Sequence, residues 1–161
     1  MINGFNEKYA FLSMYYPSQL TYDNITYNCL ATAFLGNLVT DITQKKMIAK
    51  SAPSRATIMV VNSDEKKNLS EEKQLELMYE LCKIKFSDES LKKELLNTNN
   101  EELVNFTTWN NTFWGITNGE GKNHLGKILM RIRDEFTSNV EKDVHENVSD
   151  ETPSKKKKKR K

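Results

Sequence analysis

Leu125, Ile128, Leu129, Ile132 and Phe136 recur at i, i+3, i+4, i+7 and i+11, the spacing of one helical stripe, with Asn123 placed to cap its start. In "EEKQLELMYELCKIKF" a second stripe, Leu77, Leu81 and Ile84, is widened by Leu75, Met78 and Cys82. Ser70 precedes it as an N-cap, and Glu71 and Glu72 suit its first turn. A shorter helix is expected from about Asp88 to Leu96, ending at "NTNN". From Asn28 to about Thr40 the chain is apolar almost all round, which predicts a helix covered on most sides. Asp41 to Lys50 reads as a more polar helix ending before Pro53, which disfavours helix in the residue ahead of it. Phe11 to Ser18 reads as a short strand stopped by Pro17, and Leu20, Tyr22, Ile25 and Tyr27 flank Asp23-Asn24, a hairpin turn signal. "TIMVV" (Thr57 to Val61) fits a strand or a buried helix equally. After Thr137 the chain turns acidic and free of aromatics, which predicts disorder. The class is α+β: a helix-dominated single domain over residues 1–137 with a small N-terminal sheet, then residues 138–161 as an acidic spacer and a polybasic tail.

Composition sharpens this picture in two places. A mean hydropathy of −0.69 and the lack of a long apolar run predict no membrane partner. The opening "MINGFNEKYAFL" lacks a basic-then-apolar signal pattern, so a cytoplasmic protein is expected. The formal charge of +2 hides an asymmetry, because the last seven residues, Lys155, Lys156, Lys157, Lys158, Lys159, Arg160 and Lys161, are all basic. Without them 17 basic residues face 22 acidic ones, which disfavours a duplex-binding face on the folded part. The tail fits a nuclear-import signal in a eukaryotic host, or an arm for nucleic acid or anionic surfaces in a prokaryotic one. Cys29 and Cys82 fall in apolar segments and read as reduced core thiols. There is no Cys/His cluster to hold zinc, and no cofactor is expected.

Candidate chemistry concentrates in "FTTWNNTFWGITNGEGKNHLGKILMRIRDEF" (Phe106 to Phe136). Trp109 and Trp114 offer flat π-faces that match a nucleobase, and one base–aromatic stack is worth ~1–3 kcal/mol. Gly119 and Gly121 lead into the helix with Lys122 and Asn123, an arrangement suited to an anion such as pyrophosphate. Equally, both tryptophans can be core and both glycines a plain turn. His124 reads as an exposed first-turn residue.

"FWGITNGEGKNHLGKILMRIRDEF" resembles the C-terminal signature of the NADAR family, the YbiA-like N-glycosidases associated with NAD and ADP-ribose metabolism. "FLSMYYPS" (Phe11 to Ser18) is similar to that family's opening motif, and "ELMYELCKIKFSDESLKKELLNT" (Glu76 to Thr98) to its central helix and the Lys-Phe step after it. The resemblance spans about Phe11 to Phe136 and implies hydrolysis of an N-glycosidic bond by a carboxylate near the anomeric carbon. Implied substrates are ribosylated pyrimidines of riboflavin synthesis and ADP-ribose attached to guanine. Implied ligand-binding positions are Ser13, Met14, Tyr15, Ala31, Trp109, Asn111, Trp114, Gly115, Gly119, Gly121, Lys122 and Asn123.

The resemblance also exposes departures. The family's catalytic acid falls on Ala31 and the histidine after it on Thr32, within "YNCLATAF". A family Asp falls on Asn111, a Trp on Ser70, an Asn on Met14, and a Gly-Arg pair on Val60 and Val61. The expectation is a degenerate member that binds an ADP-ribose-like or cyclic nucleotide metabolite and sequesters or senses it, as a viral sponge for an immune nucleotide signal would. The alternative is an active N-glycosidase with relocated acids, for which Glu120 and Glu7 are candidates. Assembly into an oligomer is compatible with either.

Overall fold

A computed structural model describes residues 1–149. Its elements run β1 (Ile2–Asn3), a 3-10 turn (Glu7–Leu12), β2 (Pro17–Tyr22), β3 (Ile25–Cys29), α1 (Leu30–Gly36), α2 (Ile42–Lys50), α3 (Pro53–Val61), α4 (Glu71–Lys85), α5 (Glu89–Leu96), β4 (Leu103–Val104) and α6 (His124–Ser149). The α+β, helix-dominated class holds. Among the described residues the strands form two small pairs: an antiparallel β2–β3 hairpin, and a parallel β1–β4 pair that ties the N-terminus to the segment before α6.

The hairpin forms where the sequence placed it. Asp23 and Asn24 both adopt positive φ, 52° and 63°, the combination a tight two-residue hairpin requires. The strand expected over Phe11 to Ser18 is absent; that segment is a 3-10 turn followed by a bend, and Pro17 begins β2 rather than ending a strand. Proline is tolerated at a strand's first position, where its missing N–H breaks no ladder.

Helix α1 is the hub. Leu30, Ala31, Thr32, Ala33, Phe34 and Gly36 are all buried, with β2, β3, α2, α3 and α4 around them. It is shorter than the apolar run suggested, because Asn37 ends it and donates its amide to the Ala33 carbonyl. Gly36 is required here: a Cβ would sit 2.5 Å from the Tyr27 ring. "TIMVV" belongs to α3, which Pro53 opens; Ala56 and Val60 face inward with Val39 and Ile48, while Ile58 and Val61 stay exposed.

Helices α4 and α6 complete the core through Met78, Leu81 and Cys82 against Leu125, Leu129 and Ile132. Asp41 and Asp88 cap α2 and α5, and Ser70 Oγ caps α4 by accepting the Lys73 N–H at 3.2 Å. Ser70→Ala should cost about 1 kcal/mol in chemical denaturation, since the cap it removes is exposed and local. Asn123 is no cap. It has φ 50° and is 6% exposed, and its side chain is used elsewhere, as described below. Helix α6 also continues past Thr137 to Ser149, where disorder was expected, with Val140 and Val144 exposed on it. The basic run Lys155 to Lys161 lies outside the described residues.

Candidate functional site

The segment between β4 and α6 is irregular yet tightly held. Asn123 fastens both of its ends: its Oδ1 accepts the Asn105 N–H at 2.9 Å, and its Nδ2 donates to the Leu103 carbonyl at 2.9 Å. The Thr107 N–H donates to the Ile116 carbonyl and the Ile116 N–H to the Asn105 carbonyl, each at 2.9 Å. Thr117 Oγ1 donates to the Trp109 carbonyl at 2.6 Å and accepts the Asn111 N–H at 3.2 Å, which fixes the tip that carries Trp109.

The glycines serve this closure. A Cβ on Gly115 would meet the Asn105 carbonyl at 2.3 Å, and one on Gly121, at φ +144°, would meet the Gly115 carbonyl at 2.2 Å. Backbone crowds backbone at both places, so the close approach that glycine permits is internal. Gly119, at φ +80°, has nothing within 4 Å and forms an open turn. Lys122 is exposed, pairs with Glu71 at 3.4 Å and lies over the Phe113 ring. The sequence reading treated Gly115, Gly119, Gly121, Lys122 and Asn123 as ligand-facing; none of the five lines the two hollows that hold the other expected positions.

The remaining expected positions converge. Ser13, Met14, Tyr15, Trp109 and Asn111 line a hollow of about 260 Å³. Met14, Tyr15, Ala31, Trp109, Asn111 and Trp114 line a second of about 200 Å³. Tyr15 meets Trp109 edge to face with ring centroids 6.2 Å apart, and Trp114 meets Phe34 the same way at 5.3 Å. Trp109 is 54% exposed, whereas Trp114 packs half-buried against the core, so the two tryptophans divide between the two readings the sequence left open. Burial raises the Tyr15 phenol pKa, with the nearby Cys29 thiol adding to the effect.

No aspartate or glutamate lines either hollow among the described residues. Ala31 presents a methyl group, 3% exposed, and Asn111 an uncharged amide. Thr32, one residue on, is fully buried and turned inward, donating to Asn28 Oδ1 at 2.6 Å. Ser70 caps α4, and Val60 sits in the small core under α3, away from both hollows. Glu120 is exposed in the turn between the glycines, and Glu7 is exposed at the start of the 3-10 turn; neither lines a hollow.

The sequence reading missed several lining residues. Asn6 and Asn105 line the first hollow, brought there by the parallel β1–β4 pair, which two-residue strands do not announce. Lys85, 2% exposed, lines neither of these hollows but a separate one with Tyr16 and Leu20; its Nζ donates to the Ser13 carbonyl at 2.9 Å and lies over the Tyr16 and Phe86 rings. Burial pushes its pKa down from 10.5 to about 8, opposed by Cys82 and Cys29. A lysine facing inward on the apolar side of α4 was the available signal.

Helices wrapped on two small strand pairs thus leave an aromatic-walled hollow between α1 and a Gly-rich segment. A model of the NADAR domain matches residues 3–137, and the chain belongs to the NADAR family. It is similar to the Escherichia coli protein YbiA, whose NMR structure superposes with a TM-score of 0.70 at 24% identity, covering 86% of this chain and 88% of that one. It is also 41% identical over 68 residues to the chloroplastic riboflavin biosynthesis protein PYRR of Arabidopsis thaliana, a match spanning 41% of this chain and 11% of that much longer protein. Members of the family are N-glycosidases.

Proposed function

We propose that this NADAR-fold chain holds a nucleotide-type metabolite, ADP-ribose-like or cyclic, without cleaving it, and thereby sequesters or senses it. The observation that carries the reading is an aromatic-walled pair of hollows with no carboxylate in its lining. Cleavage of a sugar–base bond develops positive charge at the anomeric carbon and needs an activated water. Removing the acid or base that serves these needs typically slows a reaction by a factor of ~100 to 10⁴. Ala31 and Asn111 hold neither charge nor a proton to exchange at neutral pH.

Calorimetry with ADP-ribose should show saturable binding, and chromatography should return the ligand intact. Free base released in proportion to protein would overturn the reading. Trp109→Ala should weaken affinity by about 5- to 100-fold, the loss of one exposed stacking face. The fold should be unaffected, because the indole is more than half exposed.

One observation favours a second reading, an active N-glycosidase. The chain belongs to a family of N-glycosidases, so an acid relocated to Glu120 or Glu7 would restore cleavage. Under that reading Glu120→Gln or Glu7→Gln slows release of base, and unchanged release from both removes them from consideration. The basic run Lys155 to Lys161 supports a separate proposal, recruitment by import machinery or by nucleic acid. Its removal should abolish nuclear accumulation in a eukaryotic host.

A further inference from the structure

We propose that the part of the ligand inside the protein is uncharged, a nucleobase with its sugar, and that any phosphate remains in solvent. This rests on the nucleotide-holding reading above and narrows it. Met14, Tyr15, Trp109 and Asn111 line both hollows, so the two are lobes of one site divided by the Tyr15–Trp109 contact. At about 260 and 200 Å³, neither lobe alone reaches the ~300 Å³ at which ligand pockets usually begin, so an occupant must use both.

The lining is neutral. No Lys, Arg, His, Asp or Glu contributes to either lobe among the described residues. An unpaired phosphate taken from water into such a lining costs several kcal/mol. Lys85 and Lys122 are both committed elsewhere. Lys85 donates to the Ser13 carbonyl and lines neither lobe, and Lys122 is engaged with Glu71.

Five of the backbone amides that line the lobes are already committed. The N–H groups of Tyr15, Asn105, Phe106, Thr107 and Asn111 already donate to Ser13 Oγ, Asn123 Oδ1, the Val104 carbonyl, the Ile116 carbonyl and Thr117 Oγ1. No ready anion nest exists among these five. What remains is neutral recognition. The side-chain amides of Asn6 and Asn111 make no hydrogen bond among the described residues, and each offers a donor beside an acceptor. That pairing matches the edge of a base or a ribose hydroxyl, while Tyr15 and Trp109 supply the faces on which a base stacks.

The test is calorimetric titration of the full chain with adenosine and guanosine, with their 5′-monophosphates, and with ADP-ribose, at low and high salt. The better of the two nucleosides should bind within about threefold of its monophosphate, and both affinities should change little with salt, since no ion pair forms inside. Trp109→Ala should weaken nucleoside and monophosphate by the same factor, which locates them in these lobes. A monophosphate that binds more than about tenfold tighter than its nucleoside, with the advantage lost at high salt, would overturn the inference while leaving the holding function intact. Absence of binding by nucleosides and nucleotides alike would sink both.

Discussion

Gly121→Ala is expected to destabilise the protein by about 3 kcal/mol or more, whereas Gly119→Ala, two residues away, should cost only about 1 kcal/mol. At Gly121 two penalties combine. The φ of +144° is one that L-residues rarely adopt, and a Cβ there meets the Gly115 carbonyl at 2.2 Å and the Thr112 carbonyl at 3.1 Å. All three contacts within 4 Å are backbone atoms of Gly115, Ile116 and Thr112, so no side chain can swing aside to relieve the overlap. At Gly119 only the φ of +80° is unfavourable, and the space is open. Urea midpoints for the two variants check the contrast. Equal losses would mean that the segment gives way as a unit and that its framework is looser than its hydrogen bonds imply. The consequence reaches the site, because Gly115 directly follows Trp114, whose ring meets Phe34, and the same segment carries Trp109 against Tyr15.

Local patterns carried much of this structure in the sequence. Asp23-Asn24 has one economical conformation between alternating apolar residues, and the hairpin follows. Ser70, Asp41 and Asp88 mark helix starts because a short polar side chain there replaces a missing hydrogen-bond partner. The stripe of α6 is periodic enough to leave no competing element. The illegible parts are those decided by partners distant in sequence. Phe11 to Ser18 looks like a strand by composition, but the preceding turn and the demand that Met14 accept the Ala31 N–H at 2.8 Å bend it instead. "TIMVV" became helix because Pro53 starts one and Ala56 and Val60 find Val39 and Ile48. Asn123 is a sound cap by type, yet its side chain joins β4 to the glycine segment, a role that depends on residues about 20 positions earlier. The site shows the same division. The residues that motif resemblance placed near a ligand separate into five that line hollows from the tryptophan segment and the Ser13 bend, Ala31 and Trp114 that wall the second lobe, and five that line neither hollow. Asn6 arrives only through tertiary contacts.

Lys85→Met is expected to remove a pH dependence of stability that the native chain carries between about pH 8 and pH 9. The Lys85 amine is displaced from 10.5 to about 8 by burial. Between those limits the unfolded chain binds more protons than the folded one, so stability rises with pH, and it is lost as pH falls through the folded value. The full displacement corresponds to about 3 kcal/mol, carried as a penalty at pH 7 where the buried group is charged. Cys82 acts in the opposite sense. Burial pushes its thiol from 9.0 up to about 12, so its contribution is complete below 9.0 and declines above it. Tyr15, Tyr22, Tyr27 and Tyr79 are likewise raised from 10.0 and act only at still higher pH. Just above pH 8 the lysine therefore dominates, with Lys45, whose amine burial also lowers, acting in the same sense; the native chain should gain about 1 kcal/mol by pH 9 before Cys82 offsets the gain. Urea midpoints at pH 7, 8 and 9 test this, and the slope rather than the absolute stability is diagnostic, because Met also removes the donor to the Ser13 carbonyl. A variant that keeps the native slope would show that another group titrates there. The same variant should leave ligand affinity unchanged from pH 7 to 9, because Lys85 lines neither lobe of the site.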